Sequence, residues 1–186
     1  MGGPYLFVQA ARRADTAFVV GTSLFCATIV VLYLASTLYH AWPQGRAKRF
    51  LRIIDHSAIF LLIAGTYTPV TLGVLRGVWG WTLLGVVWSL AAVGVALKAF
   101  GNTARPILST GLYLLMGWVV VVAADPLFAR VPTAGLAWLF AGGLFYTIGI
   151  GFFAADSRLK YGHLIWHLFV LAGTACHFIA LLWCAA

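Results

Sequence analysis

The sequence has almost no acid. Glutamate is absent, the four acidic residues are all aspartate, and charged side chains of both signs make up 9% of the 186 residues, against roughly 25% in a soluble globular domain. With apolar residues at 63% and a mean hydropathy of +0.99, this excludes a water-soluble fold and leaves an integral membrane protein. Cysteine is scarce too. Cys26, Cys176 and Cys184 lie inside apolar runs, are odd in number and lack CxxC spacing, so buried inert thiols are expected rather than disulfides. The opening residues MGGPYLFVQAARR have no basic segment ahead of an apolar core, and no removable signal peptide is expected.

What is abundant is positive charge and long apolar runs. Twelve Lys and Arg against four Asp give a net charge of +8. No base-reading motif accompanies that excess, so nucleic acid is not a partner; basic loops facing anionic lipid headgroups account for it. Six stretches reach the length of about 20 residues that a bilayer requires: 17–42, 53–74, 78–99, 106–124, 132–153 and 163–184. They predict an all-α polytopic membrane protein with residues 1–186 as a single transmembrane helical domain. Pro106 and Pro132 fit first-turn positions, and Pro69, inside the second span, is expected to bend it.

The loops set the orientation. Arg46, Lys48, Arg49, Arg52, Lys98, Arg105, Arg158 and Lys160 fall on one side, eight basic residues against Arg12, Arg13, Arg76 and Arg130 on the other. The positive-inside rule makes the eight-residue side cytoplasmic and puts both ends of a six-span chain outside. The expected location is the cell membrane, with the bacterial inner membrane foremost. No motif specifies an oligomeric state, and the recurrent glycines of the spans are packing residues.

Polar groups gather at one depth. His163 and His167, in YGHLIWH, are four apart and share a helical face, about 6 Å apart along the axis. Such a pair can grip a metal ion, and aromatic packing or bonds to neighbouring helices explain it equally well. His40, in STLYHAWP, lies in the last turn of the first span with Ser36 one turn deeper on the same face, and Asp55, in RIIDHSAIF, enters the next span at a similar distance from the basic loop. Four costly groups in one leaflet point to one site. The competing reading pairs Asp55 with Arg52 or a loop lysine. Three imidazoles with an open fourth position suit zinc, with Asp55 orienting a water or taking its proton. His177 lies about 15 Å from His167 along the helix and is expected to be a hydrogen-bonded histidine elsewhere. His56 points one helical step away from Asp55's face and is expected to act in packing or behind the ligands. Thr66, Tyr67 and Thr68 either line a cavity or bond their own helix backbone beside Pro69.

STLYH, DHSAIFLLIAGTYTP and HLIWH in this order resemble the haemolysin III branch of the progestin and adipoQ receptor superfamily, from about Ser36 to the C-terminus. The resemblance implies a seven-helix membrane protein with zinc near the cytoplasmic leaflet, His40, His163 and His167 as its ligands, and Ser36 and Asp55 beside the metal. Family members open with one more span, of which MGGPYLFVQA looks like the tail, so the expected architecture is six complete helices plus a remnant of a first helix. Two functions follow. In one, the protein is a zinc-dependent hydrolase of lipid amides, with Asp55 as general base and Ser36 holding the water or the developing oxyanion, acting on membrane lipids. In the other, zinc is a structural clip in a non-enzymatic protein such as a pore-forming cytolysin or a membrane sensor or receptor. A transporter is disfavoured because the acidic charge stops near one face.

Overall fold

A computed structural model describes residues 15–100 and 106–185. Among these there is no strand, and six helical spans are long and apolar enough to cross a membrane. The expected remnant of a first helix, and Arg12, Arg13 and Arg105, lie outside the described residues.

The first helix, α1 (Thr16–Ala41), starts where the Asp15 carboxylate accepts the Phe18 N–H at 3.3 Å, one of the N–H groups a helix start leaves unpaired. Burial opposes charge on Asp15, but the Phe18 N–H and the Arg76 guanidinium, with which it forms an ion pair, hold its carboxyl below the ordinary value. The helix stops at Ala41 because Trp42 precedes Pro43 and is extended, with ψ 140°.

The second helix, α2 (Arg46–Pro69), begins seven residues before the expected start of the span, so the basic segment is mostly helix rather than loop. It runs on as a π-helical segment, Val70–Leu75, for 30 residues in all. At ~1.5 Å per residue that is about 45 Å, longer than the roughly 30 Å hydrocarbon core. Its first turns therefore reach the headgroup layer, where Arg46, Lys48 and Arg49 keep their charges in water.

Pro69 lacks an N–H and cannot continue the α-helical ladder, and the π-helical winding begins at the next residue. Around it, hydroxyls bond the helix's own carbonyls: Thr66 to Leu62 at 2.7 Å, Thr68 to Ala64 at 2.8 Å, and Thr71 to Tyr67 and Thr68 at 3.1 Å. Thr66 and Thr68 thus follow the backbone-bonding alternative. The segment ends in left-handed backbone at Arg76 and Gly77, φ 38° and 68°.

After α3 (Gly77–Phe100), the fourth span is broken. It comprises α4 (Pro106–Trp118), a 3-10 turn (Val119–Ala123) and α5 (Ala124–Arg130), six residues beyond its expected end. The Tyr67 hydroxyl serves this break, donating to the Met116 and Gly117 carbonyls at 2.8 Å and accepting the Val120 N–H at 3.1 Å. Pro106 opens α4 as expected. Pro132 is instead the residue before the first turn of α6 (Thr133–Ala154), and α7 (Gly162–Ala185) closes the fold.

Helix α2 is the hub. Of its apolar window 72% is buried inside the protein, against 11–39% for the other spans. It packs on α1 and α3 and touches α4, while α6 packs along α7. Helix α1 crosses α2 at Pro69, where a side chain on Gly21 would stand 2.6 Å from the Pro69 Cα. Phe18, Phe25, Leu32, Ala58, Leu62, Trp166 and Leu181 form the larger core cluster, and Phe60, Ala64, Val87, Ala91, Tyr113 and Met116 a second one between α2, α3 and α4. Cys26, Cys176 and Cys184 are free thiols.

Candidate metal centre

The end of the bundle that carries the basic segments gathers the histidines. His40 sits in the last turn of α1, exposed, because the chain must leave the helix before Pro43. His163 and His167 occupy the first two turns of α7 on one face. Ring centroids lie 5.1 Å apart for His40 and His163, 5.3 Å for His40 and His167, and 4.8 Å for His163 and His167. One nitrogen from each falls within 4.8 Å of the others, a group that can hold a metal ion. His163 Nε2 and His40 Nε2 are 3.4 Å apart. His167 Nε2 is buried and has no hydrogen-bond partner among the described residues.

Ser36 on α1 and Asp55 on α2 lie just deeper, 8% and 7% exposed, with the Ser36 hydroxyl beside the Asp55 carboxyl in the wall of one cavity. Asp55 therefore faces a hydroxyl of α1 and sits within electrostatic reach of His163. A cavity of about 30 Å³ opens among Ser36, Asp55, His56, His163 and His167, walled by Leu32, Tyr33, Ile59, Phe153, Trp166 and Val170. A water needs roughly 10–15 Å³ measured this way. The cavity has room for about two or three waters and none for an acyl chain.

Of the two remaining histidines, His56 packs behind the cluster as expected, though in the same cavity wall as Asp55, and His177 departs from expectation. His56 is in the cavity wall beside Asp55, its ring 6.3 Å from Phe153 and its carbonyl accepting the Tyr113 hydroxyl at 2.8 Å. Neighbouring helical residues differ in direction by only about 100°, so a cavity that wraps around α2 meets both. His177 packs its ring 5.3 Å from Tyr146 and leaves Nδ1 buried without a partner among the described residues, where a hydrogen bond was expected.

Sequence reasoning passed over Asp156, whose Oδ2 lies 3.0 Å from His163 Nδ1. The signal was there, an aspartate seven residues before a histidine in a chain with four acids. It also passed over the node at Thr174, which accepts the Tyr33 hydroxyl at 3.3 Å, contacts the Tyr146 hydroxyl at 2.9 Å and donates to the Val170 carbonyl at 2.8 Å, joining α1, α6 and α7 below the cavity.

Comparison with known proteins places this architecture. The chain is 43% identical over 178 residues to the hemolysin-3 homolog of Bacillus subtilis (strain 168), covering 96% of this chain and 83% of that protein. It is 41% identical over 177 residues to hemolysin-3 of Bacillus cereus, covering 95% and 80%. Human monocyte to macrophage differentiation factor is 29% identical over 175 residues, covering 89% of this chain and 68% of its own. No solved structure matches. The haemolysin-III related family model matches residues 2–178, and the chain, with six helices long and apolar enough to cross a membrane among the described residues, belongs to that family of multi-pass membrane proteins.

Proposed function

We propose that the protein binds zinc through His40, His163 and His167 and hydrolyses an amide bond of a membrane lipid at the cytoplasmic end of the bundle. The observation that carries the reading is the convergence of three imidazoles from two distant helices on the edge of a water-sized cavity walled by Asp55 and Ser36. The residues fit the ion. Two nitrogens bound tetrahedrally to zinc at 2.0–2.1 Å stand about 3.3 Å apart, close to the 3.4 Å between His40 and His163. The buried, unpartnered Nε2 of half-buried His167 would otherwise cost about 1–3 kcal/mol. The 4.8 Å limit on the three-way spacing requires up to about 1.5 Å of side-chain adjustment. Imidazole donors select zinc over magnesium.

Zinc held there supplies Lewis acidity, polarising a carbonyl and lowering the pKa of water. Asp55 takes up the proton of a water in the cavity and returns it to the leaving amine. Ser36 holds the Asp55 carboxyl in place and presents a hydroxyl to the developing oxyanion. Because the cavity admits no acyl chain, the lipid approaches from the bilayer with only its amide entering.

A second reading, zinc as a structural clip, draws on the packing: α1 and α7 are not among the closely packed helix pairs, yet the histidines bridge them. Elemental analysis of purified protein tests the shared premise, with about one zinc per chain expected and none in a His40→Ala, His163→Ala, His167→Ala variant. A screen of ceramides, other N-acyl lipids and phospholipids separates the two readings. Zinc present with no hydrolysis above a chelated control sinks the hydrolase and leaves the clip.

A further inference from the structure

We infer that Asp156 is a positioning residue for the histidine cluster: it accepts the proton of His163 Nδ1 and so fixes the tautomer in which Nε2 presents its lone pair toward His40. The consequence for metal affinity rests on the zinc reading above; the tautomer itself does not.

A neutral imidazole has one N–H and one lone pair, and an ionised carboxylate only accepts. With Asp156 Oδ2 at 3.0 Å, the proton of His163 belongs on Nδ1. The bare nitrogen is then Nε2, the one that lies 3.4 Å from His40 Nε2 within the candidate ligand group. A carboxylate on the remote nitrogen of a metal-binding histidine sets ring orientation and raises ligand basicity.

The placement of Asp156 is built into the chain reversal between α6 and α7. Its N–H donates to the Phe153 carbonyl at 3.3 Å, the Arg158 and Leu159 N–H groups donate to the Ala155 carbonyl at 2.8 and 3.1 Å, and the Gly162 N–H donates to the Leu159 carbonyl at 3.0 Å. A side chain on Gly162 would stand 3.0 Å from the Asp156 Cα and 3.4 Å from its Oδ1, so the turn lies against the start of α7 because position 162 has none.

Stability does not account for the pair. His163 and Asp156 are 35% and 42% exposed, and even a full ion pair that open to water would contribute only about 0–1 kcal/mol. Orientation of a ring whose far nitrogen faces two other imidazoles is what the contact achieves.

The test uses the full chain in detergent with two measurements. Nitrogen-15 NMR of histidine-labelled, chelator-treated protein reads the tautomer. Zinc affinity is read by competition with a chelator. His163 is expected to carry its proton on Nδ1 in the wild type and to lose that preference in Asp156→Ala, with zinc affinity falling 10–100-fold. Asp156→Asn, which keeps a neutral acceptor and the shape of the turn, should lie between. Asp156→Glu should restore binding to within a few-fold, which a purely structural role for the turn would not produce. Wild-type tautomer and zinc affinity in Asp156→Ala would overturn the inference, as would equal impairment of the Ala and Glu variants. If the wild type takes up no zinc, the zinc reading fails by itself, and the tautomer comparison alone decides the role of Asp156.

Discussion

Asp55→Asn separates proton transfer from metal binding. The side chain is 7% exposed, lies beside Ser36 and borders a cavity of about 30 Å³. Asparagine has the same shape, so the cavity keeps its volume, and its amide oxygen can accept from the Ser36 hydroxyl beside it. The stability change should stay near the ~1 kcal/mol net worth of one hydrogen bond. What is lost is proton uptake. A missing general base costs about 10²–10⁴ in rate, or about 2.7–5.4 kcal/mol in the barrier at 1.36 kcal/mol per tenfold. Because three histidines make up the candidate ligand group, zinc should remain. The assay is fatty-acid release from N-acyl lipids by zinc-loaded protein in nanodiscs, with zinc measured on the same sample and His167→Ala as the variant that loses both. An Asp55→Asn protein with full zinc and wild-type turnover would refute the proton role, and one that has lost its zinc would show Asp55 to be a ligand.

Two further outcomes follow from the fold. Thr174→Val keeps the packing but leaves the part-buried Tyr33 and Tyr146 hydroxyls without their shared partner; at about 1 kcal/mol for each hydrogen bond lost, thermal unfolding in detergent should fall below wild type, with zinc affinity changed little, and unchanged unfolding would show that the node contributes nothing. A reporter fused after Ala186 should read as extracytoplasmic, since Arg46, Lys48, Arg49, Arg52, Lys98, Arg158 and Lys160 lie at the opposite end from α7's C-terminus; a cytoplasmic reading reverses the orientation of the bundle and of the site.

The spans were legible because bilayer thickness demands about 20 apolar residues whatever the packing, and a histidine pair at positions 163 and 167 must share a face of any helix. Helix ends were less so. Hydropathy sees apolar side chains, while α2 begins at Arg46 among charged ones, since the backbone ladder tolerates charge wherever the side chain reaches water. The break at Val119–Ala123 carries no Pro or Gly and depends on the Tyr67 hydroxyl arriving from another helix.

Composition and spacing alone determined that the chain lives in a membrane, how many described spans it has, and that His40, Asp55, His163 and His167 share a depth, because each follows from length along one helix axis. Which side chains meet depends on rotation and tilt between helices, which packing sets. Only the tertiary structure decided that Ser36 lies beside Asp55, that His56 lines the same cavity, that Asp156 holds the back of His163 and that His167 keeps a buried nitrogen unpartnered. The periodicity of one helix carries no information about the orientation of the next.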